Sequence, residues 1–311
     1  PQDRSSAASD VYKRQTANLI TVSGLSITSV AGGNSSAPED YVLDSTTKTV
    51  NATITPKTVS LAVAPKVYDA STDMTGYVSI TTGVGGETLT YNGATSNDAH
   101  VATADKYLNA ITLGNASDGS GGLASNYQLP TLNVANAPIS ITPKTVSLAV
   151  APKVYDASTD MTGYVSITTG VGGETLTYNG ATSNDAHVAT ADKYLNAITL
   201  GNASDGSGGL ASNYQLPTLN AANALVTINP KTLTLTLTNS GYSQVYDGDA
   251  AADITPSWSF NGFISGDTSA LINYASKAYN DKDVAAANLI TISGLTICLL
   301  YTSDAADERS C

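Results

Sequence analysis

Residues 54–140 and 141–227 are one 87-residue unit written twice, each opening on ITPKTVSLAVAPKVYD. The copies differ at only four positions, Val134/Ala221, Pro138/Leu225, Ile139/Val226 and Ser140/Thr227. A coil of a solenoid repeats about every 20–45 residues, so a period this long implies that each copy is a module with its own core. A further copy opens at INPKT (Ile228–Thr232), and residues 16–53 run directly into ITPKT at Ile54. The expected organisation is therefore the C-terminal part of a repeat over 16–53, full repeats over 54–140 and 141–227, and the N-terminal part of a repeat over 228–297.

The flanks follow a different pattern. Ser5–Gln15 reads SSAASDVYKRQ and Cys298–Glu308 reads CLLYTSDAADE. The two resemble translations of one sequencing adapter from opposite strands. Residues 1–15 and 298–311 are thus expected to be adapter-derived, and the rest a fragment of a longer protein. Setting them aside removes both cysteines, Cys298 and Cys311, and all three arginines, Arg4, Arg14 and Arg309. With Lys13, Asp3, Asp10, Asp304, Asp307 and Glu308 also excluded, ten lysines face 21 acidic residues, a net charge of −11. This balance lacks the basic face that nucleic-acid binding requires. An acidic, cysteine-free chain rich in Thr, Ser, Gly and Asn suits a solvated extracellular surface. Without disulfides each copy must stand on its core, and a module of this size buries roughly 60–65% of its chain surface. No apolar run reaches the ~18–20 residues of a membrane span.

Within a copy, apolar and polar residues alternate over short stretches. Val59, Leu61 and Val63 share one face of 58–64, Val78 and Ile80 one face of 77–82, and Leu89 and Tyr91 one face of 87–91. This is the two-residue period of half-buried strands. Further strands are expected over 109–113, 126–133 and 138–142. Gly83–Gly86, Asn92–Gly93 and Asp118–Gly122 supply the positive φ angles of intervening turns. Ser96–Tyr107 offers Ser96 or Asn97 as a helix cap but reads as an irregular connection. About six short strands per copy predict an all-β chain of β-sandwich-like modules, immunoglobulin-like or a related β-rich form.

The two full copies contain neither Phe nor Trp, so Tyr68, Tyr77, Tyr91, Tyr107 and Tyr127 and their counterparts must supply the aromatic bulk. A tyrosine buries its ring while its hydroxyl reaches water or the backbone, which suits thin modules. A sugar-stacking platform is the competing reading, although such platforms favour Trp.

No residue set carries catalysis. Histidine occurs once per copy, as His100 and His187, with no partnering nucleophile, and is expected to be a solvated loop residue. One histidine and no cysteine per copy rule out a zinc centre. Asp118 and Asp205, in the two SDGSGG loops, are the candidate calcium ligands. Their spacing fits neither an EF-hand nor a nonapeptide repeat, and ordinary Asp/Gly turns are the favoured reading, so no metal is expected. No cofactor is expected. Lys57 or Lys66 could supply a Lys–Asn cross-link of the kind that stiffens surface adhesins.

Each full copy carries VYDA at Val67–Ala70 or its counterpart, and the last copy carries VYDG at Val245–Gly248. With the I-[TN]-P-K-T opening, the GET or GDT at Gly86–Thr88 and Gly266–Thr268, the NY at Asn126–Tyr127 and the closing ISIT, the chain resembles the YDG-type repeat. Ala70 and Ala157 depart from the name-giving glycine. That family occurs in tandem in large bacterial surface and secreted proteins, notably filamentous-haemagglutinin-like adhesins. The resemblance implies an exported, cell-surface bacterial protein and transfers no catalytic residue. Physically, Tyr68 can plug the end of the core where the first strand leaves, and Asp69 can accept N–H groups of the following turn, where Gly248 permits a left-handed backbone.

Two functions compete. One is a stalk, with neighbouring copies end to end as an elongated rod, since only Pro143 and Lys144 separate one copy's closing strand from the next opening strand. The other is a series of weak glycan- or host-protein-binding modules that act by avidity. A repeated exposed apolar patch would mark a binder, and none is evident, which favours the stalk. Host glycans or surface proteins would then be met by parts of the protein outside this sequence.

Overall fold

The computed structural model describes residues 18–298, so the adapter expectation for residues 1–15 and for 299–311 lies outside the described residues. The chain is β-rich. Its only helical features among those residues are single 3-10 turns at Pro38–Asp40, Ala124–Asn126 and Ala211–Asn213. None of the described helical segments is long and apolar enough to cross a membrane. Among the described residues, contacts divide the chain into two units, the first comprising 18–147, 167–177 and 200–217, the second 148–166, 178–199 and 218–298.

In the first unit, Ser60–Val63 pairs antiparallel with Val78–Thr81, from Ser60 opposite Thr81 to Val63 opposite Val78. Thr90–Ser96 pairs antiparallel with Leu108–Gly114. The alternation puts Val59, Val78, Ile111, Ile139 and Ile141 inside with Met74 and Leu108, the last two fully buried. Asp73 bridges Thr95 and Tyr107 bridges Pro138, which ties the longer ladder to its neighbours.

Several expected boundaries move for identifiable reasons. Asn92–Gly93 is not a turn but the bulged middle of Thr90–Ser96, where the register shifts between Asn92 and Thr95. Gly93 at φ 64° supplies the left-handed residue that a bulge needs. The strand expected over 87–91 starts only at Thr90, because Glu87 closes a turn on the Val84 carbonyl at 3.3 Å. The strand expected over 126–133 shrinks to Tyr127–Gln128. Pro130 has no donor for a ladder, and the Asn133 side chain accepts from the amides of Ala135 and Asn136, each at 3.0 Å, to form a turn of its own. Ser96–Tyr107 is not helical, Ser96 ending the preceding strand: Asp98 Oδ1 accepts from the His100 amide and the Thr103 hydroxyl, and the buried Lys106 ammonium donates to the Val101 and Thr103 carbonyls.

Two short parallel pairings were not anticipated. Lys57–Thr58 lies parallel to Tyr127–Gln128, and Lys66–Val67 lies parallel to Ile141–Thr142. The second of these means that the ITPKT segment is shared. Ile141–Thr142 closes the ladder of the first copy, while Lys144–Thr145 lies parallel to Tyr214–Gln215 of the second. Pro143 sits between the two ladders, where its lack of an N–H and fixed φ break one pairing from the next.

The first unit also contains Leu19–Ser23 paired antiparallel with Thr47–Asn51. In the second unit, Lys153–Val154 lies parallel to Ile228–Asn229, repeating the pairing of Lys66–Val67. The last copy contributes three antiparallel ladders to this unit: Thr234–Leu237 with Trp258–Asn261, Leu271–Asn273 with Thr296–Cys298, and Ser276–Tyr279 with Ile290–Ser293. Its buried apolar residues, among those described, are Ile228, Ala252 and Ile254. Asn18–Ile27 and Asn288–Ile297 are the same sequence with two conservative changes, yet the strand in the former pairs with a later segment and that in the latter with an earlier one.

Candidate functional site

The Tyr-Asp motif is held by a buried lysine. Lys66, 2% exposed, donates to the carbonyls of Ser71 at 2.9 Å and Asp73 at 2.7 Å, and pairs with Asp69 Oδ1 at 2.8 Å. Asp69 Oδ1 also accepts from the Ser71 amide at 3.0 Å, the turn function anticipated for it. The loop closes through Ala70 at φ 63°, in the left-handed region that disfavours a Cβ. Lys153, Asp156 and Ala157 at φ 62° rebuild the same loop in the second copy. Gly248 at φ 97° takes the left-handed position in the last copy, where Asp247 accepts from the Asp249 amide at 3.2 Å. The glycine of the motif is therefore a conformational requirement that alanine fills twice under strain.

This loop delivers Tyr68 to residues of the following copy. Thr169 organises the receiving turn: its hydroxyl donates to the Glu174 carbonyl at 3.0 Å and accepts from the Val171 amide at 3.2 Å. Glu174 then takes two tyrosine hydroxyls, Tyr68 on Oε1 at 2.7 Å and Tyr214 on Oε2 at 2.6 Å. The two rings meet edge to face at 5.4 Å, the geometry that aromatic quadrupoles favour. The 3-10 turn Ala211–Asn213 places Asn213 beside them, and its Oδ1 accepts from the Val101 amide at 3.0 Å. That bond fixes the amide orientation, so Nδ2 donates to His100 Nδ1 at 2.9 Å and the histidine proton resides on Nε2. His100 stacks on Tyr68 at 6.2 Å. Burial, then the bonded carboxylate of Glu174, pushes the Tyr68 phenol well above the ordinary tyrosine value, and the same causes raise Tyr214. Both stay neutral donors at any physiological pH.

The same residues fare differently from copy to copy. Tyr68 is 1% exposed, Tyr155 is half-buried and Tyr246 is 56% exposed. His100 is half-buried, contrary to the solvated loop residue expected, whereas His187 is exposed as expected. Asn126 is half-buried, and Asn213 is fully buried under His100 and Val101. Sequence reading gave Tyr68 a plugging role but missed Glu174, Asn213 and His100 as its partners. The signal available was the identity of the copies, which makes the GET turn and NY segment of one copy a potential seat for the YD loop of another.

The calcium candidates serve other ends in the structure. Asp118 Oδ2 accepts from the Thr88 hydroxyl at 2.8 Å and Oδ1 from the Ser120 amide at 3.0 Å, pinning the SDGSGG loop to the start of the neighbouring strand. Asp205 does the same with Thr175 and Ser207, and these donors hold its carboxyl down at about 2. Neither gathers with two further His, Cys, Asp or Glu residues into a possible metal site among the described residues. Lys57 donates to the Gly83 carbonyl at 3.1 Å, and Lys66 to the carbonyls and carboxylate already described, rather than to an asparagine.

No curated protein and no solved structure matches the chain. Residues 229–308 match the YDG domain, a span that contains the VYDG motif and continues through 298–308. The chain thus carries a YDG domain over residues 229–308.

Proposed function

We propose that residues 54–227 are a non-catalytic spacer in a large bacterial exported, adhesin-like protein, built from tandem β-sandwich-like copies related to the YDG domain and joined as an elongated rod. The observation that carries this reading is Glu174, whose carboxylate is shared between the tyrosine of one copy and the tyrosine of the next. A contact of this kind restrains successive copies in addition to their covalent link, and restraint is what a spacer needs to hold a distal part away from a surface. The shared ITPKT segment supports the same reading, since Pro143 leaves almost no slack between ladders. The acidic, cysteine-free composition suits an extracellular setting. His100 is engaged in packing, bonded to Asn213 and stacked on Tyr68.

Small-angle scattering tests the spacer directly. Lengthening the chain by one further 87-residue copy should extend its maximum dimension by roughly 35–45 Å, given strands of five to eight residues at ~3.3 Å per residue plus end loops. Growth in girth rather than length would contradict the spacer and favour tandem binding modules packed side by side.

A further inference from the structure

One strand occurs twice in this chain with different partners, and the direction of its backbone groups shows that the partners lie on opposite edges. Leu19–Ser23 pairs with Thr47–Asn51, Ile20 opposite Val50, and its near-identical counterpart Ile290–Ser293 pairs with Ser276–Tyr279, Ile290 opposite Tyr279. In an antiparallel ladder every second residue turns its N–H and C=O groups to the same edge. The Ala52 amide bonds to the Asn18 carbonyl at 3.0 Å, so Asn18, Ile20 and Val22 turn theirs toward Thr47–Asn51. The Asn280 amide bonds to the Leu289 carbonyl and the Ala275 amide to the Ser293 carbonyl, both at 2.9 Å, so Leu289, Thr291 and Ser293 turn theirs toward Ser276–Tyr279. The counterparts of these three are Leu19, Thr21 and Ser23, the alternate set. Among the described residues no strand pairs with the edge that Leu19, Thr21 and Ser23 present. The strand has no charged residue and no proline, all five of its residues are exposed, and such an edge is a template for a further strand.

We propose that this open edge of Leu19–Ser23 binds an extended peptide strand from another polypeptide, of the kind the chain itself carries at 271–280, added antiparallel in the register seen on Ile290–Ser293. Residues equivalent to Ser276, Lys277, Ala278 and Tyr279 then stand opposite Ser23, Val22, Thr21 and Ile20. The side chains suit that register. Ser293, whose hydroxyl meets Ser276 Oγ at 2.7 Å, is Ser23 here; Ile290 and Thr291 are unchanged as Ile20 and Thr21, and Val22 in place of Ile292 stays apolar. On one face the tyrosine extends the Ile20–Val50 pair into an apolar row, and on the other the alanine lies beside Thr21 and Thr49. Backbone bonds to the edge supply affinity, and the alternating side chains supply selectivity. A two-stranded ladder alone is marginal in water, so the added strand also stabilises the pairing of Leu19–Ser23 with Thr47–Asn51. The inference does not require the spacer reading.

The test is amide exchange in the full chain, read by NMR with and without the synthetic peptide LINYASKAYN, residues 271–280. A short strand that orders on binding should have a Kd of roughly 0.1–1 mM. In the free chain the Ile20 and Val22 amides should exchange slowly and those of Leu19, Thr21 and Ser23 fast. Peptide at about 1 mM should slow the latter three by roughly two- to tenfold. A peptide carrying Ala278→Pro lacks the N–H that faces Thr21 and should give no such protection. In the chain, Thr21→Pro removes a donor of the open edge and none of the existing ladder, so it should abolish the protection while Ile20 and Val22 stay slow. Protection that appears at Ile290 and Ile292 instead, protection at none of these amides, or equal protection by the Ala278→Pro peptide would overturn the proposal.

Discussion

The two full copies are nearly the same sequence in two surroundings, and their tyrosines record the difference. Tyr68 is buried and bonded to Glu174, while Tyr155, on an identical loop, is half-buried against His187 alone among the ring contacts described. Asn213 and Asn126 show the converse, since the residue that receives a neighbour is the one fully enclosed. Nothing in the local sequence separates the members of either pair. What separates them is whether a neighbouring copy supplies the other half of the contact, so burial here belongs to the array and not to the module.

This comparison can be broken by replacing each tyrosine. Tyr68→Ala removes a fully buried aromatic and strands Glu174 with one donor fewer, a loss of about 3–5 kcal/mol. Tyr155→Ala should cost about 1–2 kcal/mol, because less of that ring is enclosed. Amide exchange at Leu108 and Leu195, whose N–H groups are bonded to Ala137 and Ala224 in the two cores, reads each copy separately. Equal losses at the two sites would mean that the copies do not differ in this way.

A smaller effect sharpens a second contrast, between the two alanine loops and the glycine loop. An L-residue in the left-handed region costs roughly 1–2 kcal/mol, against which glycine's extra unfolded-chain entropy counts about 0.4–1 kcal/mol. Ala70→Gly is therefore expected to stabilise the first copy by about 0.5–1 kcal/mol, and Gly248→Ala to destabilise the last copy by a similar amount, both measured by urea unfolding. Effects of the same sign for the two substitutions would show that φ at this position does not control the loop.

Much of the fold was legible because strand alternation is local. The stretches 60–63, 78–81 and 108–114 emerged close to their expected bounds, and the turns at Gly83–Gly86 and Asp118–Gly122 have the positive φ glycines anticipated for them. The parallel pairs were not legible, since two residues such as Lys66–Val67 carry no period and acquire their partner, Ile141–Thr142, from 75 positions away. Asn92–Gly93 misled for a related reason: the same dipeptide that closes a hairpin also relieves a bulge, and only the pairing partner decides. The site was half legible. Tyr68 and Asp69 announced a structural motif by themselves, whereas Glu174 and Asn213 gain their roles from a loop more than 100 residues earlier. Reading each copy as self-contained hid that exchange.

The central claim, that successive copies are energetically coupled through Glu174, is tested most directly by a double-mutant cycle of Tyr68→Phe and Glu174→Gln in the full chain at micromolar concentration. The account predicts a coupling of about 1–2 kcal/mol for this pair, and additivity within about 0.5 kcal/mol for the control pair Tyr155→Phe and Glu87→Gln. Additivity of Tyr68 and Glu174 to the same degree as the control would contradict it.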